Sequence, residues 1–220
     1  MTIGLPGIDR LPAMDRLPAH ERGITIGDFL VPIRVSERMN ARARHLALIL
    51  GGTVLIALAA QVSIPVPGSP VPITGQTFGV LLSAGALGFR RGIASTVLYL
   101  LLGLVGLPVF AHGTGGVAIV VGATGGYLVG FIVAAAVVGR LAELGWDRNL
   151  LGGIGAMLIG SALIYAVGLP WLAVVAHLDA PTTLQEGLYP YIPGDLLKLA
   201  LAAAAFPVAW WIVGRRPGDR

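Results

Sequence analysis

The sequence predicts an all-α integral membrane protein, a bundle of six transmembrane helices with both termini in the cytoplasm. Two observations predict it. Of 220 residues, 55% are hydrophobic and only 12% are charged, about half the roughly 25% charged share of a soluble domain. The charge is missing in long blocks, which makes lipid the solvent of those blocks. The second observation is where the remaining cations sit. Arg42 and Arg44 precede the first block, Arg90 and Arg91 part the second from the third, Arg140 and Arg148 part the fourth from the fifth, and Arg215 and Arg216 follow the sixth. Connections 63–74, 110–123 and 175–193 contain neither Lys nor Arg, and the last holds Asp179 and Glu186. Every second connection is therefore basic, as an even number of spans with both ends inside requires. One misplaced span would spoil the alternation.

Three parts follow: an arm at 1–44, a membrane domain at 45–214 and a cytoplasmic tail at 215–220. The arm carries seven arginines and five acidic residues among scattered prolines, and its near-repeat, DRLPAM then DRLPAH at 9–20, has no apolar core behind it. It has no signal-peptide core. It reads as a mostly flexible cytoplasmic arm with room for a short surface helix at 27–39.

The apolar segments are 45–62, 75–89, 92–109, 124–142, 149–174 and 194–213. The first begins with Ala43, Ala47 and Gly51 at four-residue spacing. That spacing lets another helix approach closely, within this chain or on a partner. The second is short against the ~20 residues of a straight span, so other helices should shield it or a loop dipping into the protein should continue it. Connection 63–74 is apolar and holds Pro65, Pro67, Pro70 and Pro72, which limit how it can move. Connection 110–123 holds Gly113, Gly115, Gly116 and Gly122. These outer loops read as lids over an outward-facing pocket, or as segments lying on the membrane interface.

Lys198 is the single lysine, and Asp195 lies three residues before it, on the same helix face. Both fall inside the sixth segment, where a charge costs several kcal/mol unless paired or hydrated. Seventeen residues separate Lys198 from Arg215, roughly 25 Å of helix, so Lys198 lies near the outer side. Pro193 and Gly194 look like a helix start. One reading makes Asp195 a helix cap, with Lys198 snorkelling or pairing with it. The other makes Lys198 the partner of a ligand carboxylate and Asp195 the acceptor of a ligand N–H. Arginine is this chain's cation everywhere else, which favours the second. Thr74, Gln76 and Thr77 open the second segment as pocket-wall candidates. Tyr99 and Tyr127 are each a ligand contact or a packing tyrosine. Trp171, Trp210 and Trp211 suit interfacial belts. His112 and His177 sit in different outer loops and do not make a metal site.

Several classes are disfavoured. The arginines sit at segment ends, not on one face, so nucleic acid is not an expected partner. The absence of cysteine excludes disulfides and thiolate chemistry. There is no phosphate loop, no HExxH and no GxSxG, so any ATP-driven step belongs to another polypeptide.

Four stretches in order carry a resemblance: PVPITGQT at 70–77, YLLLGLVGLPVFA at 99–111, GATGGY at 122–127 and YIPGDLLK at 191–198. On these the chain resembles the BioY family, the biotin-specific substrate-binding (S) components of energy-coupling-factor (ECF) transporters, over about 46–213. The resemblance implies a six-helix, multi-pass protein of a prokaryotic cell membrane with an outward-facing biotin pocket and no cofactor. It implies that Asp195 and Lys198 match the biotin-binding residues of the last helix. It also implies a transmembrane coupling subunit, against which Ala43, Ala47 and Gly51 would lie, and two ATPase subunits. A homo-oligomer is compatible with the pattern. The arm is longer than the family leads one to expect. An asparagine ligand of some members has no match, which leaves Gln76, His112 and Thr114 as candidates for its role. Two other classes compete: a stand-alone ion- or proton-coupled carrier for a small carboxylate, with Asp195 as coupling site, and an intramembrane enzyme. The first lacks a clear internal repeat, and the second needs more than one Asp–Lys pair.

Overall fold

A computed structural model describes residues 25–30 and 41–212. The near-repeat at 9–20, most of the expected arm, Arg215, Arg216 and the tail lie outside those residues. A short helix α1 (Gly27–Leu30) precedes α2 (Ala41–Gln61), a two-residue hairpin of β1 (Ser63–Ile64) and β2 (Ile73–Thr74), and α3 (Gln76–Leu104). Then come α4 (Val117–Val121), α5 (Gly125–Glu143), α6 (Leu150–Val175), α7 (Ala180–Gly187) and α8 (Ile192–Ile212). The hairpin pairs Ser63 with Thr74 and Ile64 with Ile73.

Five helical stretches among the described residues are long and apolar enough to cross a membrane. The second, α3, is folded in two. Gly88 breaks its helix at φ 80°, ψ −176°, a combination that only glycine adopts without strain. Beyond it, a methyl group at Gly92 would lie 2.8 Å from the Ala84 backbone. The Gln76 side chain meets Tyr99 at 2.6 Å, although the 23 residues between them would span about 35 Å of straight helix. The legs 76–87 and 89–104 are thus antiparallel neighbours, and they match the second and third apolar segments. The first leg is short and shielded as expected, with Gly79, Val80, Leu81, Ser83, Ala84, Gly85 and Leu87 buried.

The α3 hairpin packs between α2 and α5, α5 packs on α6, and α8 packs chiefly on α6. Tyr99, Phe110, Phe206, Met157 and Leu172 fill the interior. Leu46, Leu50, Val54 and Leu58 stay exposed along one side of α2, a surface suited to acyl chains. Local chemistry sets helix starts: Asn149 accepts from the Gly152 amide at 2.7 Å, and Asp179 accepts from the Thr182 amide at 3.0 Å ahead of Pro181.

The basic connections gather at one end. There Arg91 pairs with Asp28 at 2.8 Å and donates to His45 at 2.9 Å. Arg140 pairs with Glu143 at 3.0 Å, which accepts from the Phe89 amide at 2.9 Å. Two expectations change here. The arm is not free throughout, because Thr25 and Ile26 are buried and Phe29 stacks edge-on against Trp210. Burial alone would raise the Asp28 carboxyl, yet the Thr25 amide and Arg91 outweigh it and hold it below its ordinary range. Trp210 is not a belt residue either. It is 2% exposed and donates to Asp147 at 2.8 Å. Trp211 is exposed, as a belt residue should be.

Candidate functional site

At the opposite end the outer connections enclose a cavity of about 490 Å³. The proline hairpin between α2 and α3 contributes Pro65, Val66, Ser69 and Pro70–Pro72, the glycine-rich connection contributes Phe110, His112 and Thr114, and α4 contributes Ala118 and Ile119. Prolines at four of twelve positions restrict the hairpin, and hydrogen bonds hold it. Tyr191 donates to the Val71 carbonyl at 2.5 Å and lies 2.8 Å from the Ser69 hydroxyl. Ser69 also reaches the Glu186 carbonyl at 2.8 Å. Gln61, at the end of α2, clips the glycine-rich connection by donating to the Phe110 carbonyl at 3.3 Å and accepting from the Gly113 amide at 3.1 Å. Ser63 meets His112 Nδ1 at 3.2 Å.

Asp195 and Lys198 line this cavity. Lys198 Nζ donates to Asp195 Oδ1 at 2.9 Å, and the two side chains are 19% and 14% exposed. Asp195 Oδ2 accepts from the Tyr165 hydroxyl. The capping reading fails: α8 starts at Ile192, and both hydrogen bonds of the carboxylate among the described residues run to side chains. The pairing part of that reading stands, inside a cavity wall. Lys198 does not snorkel into open solvent.

Gln76, Thr74 and Thr77 line the same cavity from the start of α3. Thr74 donates to Gln76 Oε1 at 3.2 Å, while Gln76 Nε2 donates to Tyr99 at 2.6 Å. Tyr127 is in the wall as well, donating to the Gly187 carbonyl at 2.9 Å. Its ring fits because Gly168 faces it, where a methyl group would come within 2.5 Å. Tyr99 does not line the cavity. It is fully buried behind Gln76, so its place is that of a support. His177 is not in the wall, and Trp171 instead donates to the Gly122 carbonyl at 2.9 Å. Ala47 and Gly51 are exposed on α2 and Ala43 is half-buried. Gly51 has open space where a side chain would stand. Sequence reasoning passed over Tyr165, Tyr191 and Ser69. Tyr165 lies seventeen residues beyond Arg148, the same separation as Lys198 from Arg215, and that matched depth was a usable signal. Apart from Thr124, the rest of the wall is apolar, with Leu128, Phe131 and Ile164 among its residues.

The pattern that defines the BioY family matches residues 34–215. The chain belongs to the BioY family. It is 42% identical over 151 residues to the biotin transporter BioY of Thermotoga maritima, covering 69% of this chain and 86% of that protein. It is 40% identical over 169 residues to the biotin transporter BioY of Rhodobacter capsulatus, covering 72% and 88%. Among solved structures it resembles a crystal structure of the S-component for biotin from an ECF-type ABC transporter, with TM-score 0.71 and 29% identity over 77% of this chain and 93% of that one. BioY members are transporters, not enzymes, and the fold is that of an ECF S-component in a multi-pass membrane protein.

Proposed function

We propose that this chain captures biotin from outside a prokaryotic cell as the S-component of an ECF transporter. The carrying observation is the Asp195–Lys198 pair in the wall of an otherwise largely apolar cavity beneath the outer loops. A volume of about 490 Å³ falls in the ~300–1,000 Å³ range of small-ligand sites. At 2.9 Å apart, the two groups suit one end of a ligand better than two. The ureido ring of biotin places an N–H donor beside a carbonyl acceptor, so it offers the carboxylate a proton and the ammonium an oxygen. Gln76 supplies an amide at the same wall and is our choice for the role that asparagine has in some members. Phe110, Phe131 and Leu128 suit the thioether ring.

In this reading the two α3 legs count as two spans, which makes six, with both termini at the cytoplasmic, arginine-rich end. The exposed edge of α2 with Ala43, Ala47 and Gly51 faces a transmembrane coupling subunit, and two ATPase subunits supply the energy. Titration of detergent-purified protein with biotin should show tight one-to-one binding. Lys198→Ala should lose most of the affinity, by about 2 kcal/mol or more for a charge-assisted contact, read by calorimetry. Unchanged binding by a folded Lys198→Ala protein would remove the site assignment.

A further inference from the structure

Asp195 is held from two sides. Lys198 approaches Oδ1 at 2.9 Å from the next turn of α8, and Tyr165 donates to Oδ2 from α6. Tyr165 is itself braced, its ring packed edge-on against Tyr127 at 6.2 Å between centroids, while Tyr127 is tied to the Gly187 carbonyl at 2.9 Å. Without the phenol, a carboxylate three residues from an ammonium on one helix face is free to rotate and give both oxygens to it. The ammonium would then be neutralised at close range, and the carboxylate lone pairs would turn from the cavity. We infer that Tyr165 is a positioning residue: its hydroxyl holds Asp195 partly away from Lys198, so that both groups stay available to a ligand.

The ligand arm of the test rests on the biotin reading above, and a second arm does not. Lys198 is the single lysine of the chain, so the rate at which an acid anhydride acylates its side chain, followed by peptide mass spectrometry, reports its pairing without any ligand. Tyr165→Phe keeps the ring and removes the donor. It should slow acylation of Lys198 several-fold and weaken biotin binding about fivefold, the effect of one lost hydrogen bond. In an Asp195→Asn background, Tyr165→Phe should leave the acylation rate unchanged, because nothing remains for the phenol to position. An unchanged rate for Tyr165→Phe alone, or an equal slowing in both backgrounds, would overturn the inference. A wild-type protein that fails to bind biotin but shows the acylation pattern would remove the biotin reading and leave the role of Tyr165 intact.

Discussion

Asp147 shows how one buried side chain makes stability depend on pH. It sits in the turn between α5 and α6, 2% exposed. Its Oδ2 accepts from Trp210, and its Oδ1 has no hydrogen-bond partner among the described residues. Burial pushes the carboxyl up to about 7, against the Trp210 hydrogen bond and the charge of Arg148. In the unfolded chain the same group titrates near 3.9. The folded state therefore binds the proton more tightly, and its contribution to stability is whole below about pH 4 and gone as pH rises through about 7. Asp147→Asn keeps an acceptor for Trp210 and cannot ionise. Its Tm in detergent should fall less than that of wild type between about pH 4 and 7, and parallel curves would disprove this account.

At the scale of elements, Gly88 decides whether 76–104 is one span or two. Its φ of 80° and extended ψ reverse the chain so that Arg91 reaches Asp28 of the arm. A methyl group there would also stand 2.9 Å from Thr25 Cγ2 and 3.0 Å from Glu143 Oε1. Gly88→Ala should cost about 1–3 kcal/mol from the backbone alone, seen as a lowered Tm. A Tm equal to wild type would mean the turn relaxes into an ordinary helical bend. The outer hairpin poses the reverse problem, because its two-residue strands cannot hold themselves. Tyr191 supplies the clasp through Val71 and Ser69. Tyr191→Phe should release biotin about fivefold faster, the worth of one hydrogen bond, with little change in association rate. Stopped-flow release that matches wild type would exclude the clasp.

The whole molecule is a bundle with two unlike ends. At one end Arg91, Arg140 and Arg148, from three different connections, meet Asp28, Glu143 and Asp147 respectively, and the arm segment at 25–29 closes over the α3 turn. At the other end the connections carry no cation, fold inward and roof the cavity. In the proposed orientation this polarity places the arginine-rich end inside, as the positive-inside rule requires, and the charged pair of α8 lies nearer the mouth of the cavity than the arginine-rich face. The exposed leucines and valines of α2 would be a liability in water but are ordinary against lipid.

How much of this was legible follows from which forces act locally. Hydrophobic run length and charge placement depend on short stretches meeting lipid or water, so the apolar segments, the alternating connections and the presence of Asp195 and Lys198 on one face of the last apolar segment could be read from the chain. The short second segment was recognised for the same reason. The depth of Tyr165 was legible, but its partner was not, and nor was that of Tyr191, because their contacts lie 30 and 120 residues away in sequence, and periodicity says nothing about which helices become neighbours. Tyr99 had the right chemistry but the wrong side of Gln76, a question of rotation about a helix axis. The packing of residues 25–29 and the burial of Trp210 were likewise decided only when distant segments packed. The sequence by itself determined what each segment must be dissolved in. Only the tertiary structure decided which polar groups share a cavity, because that depends on how six apolar legs pack side by side.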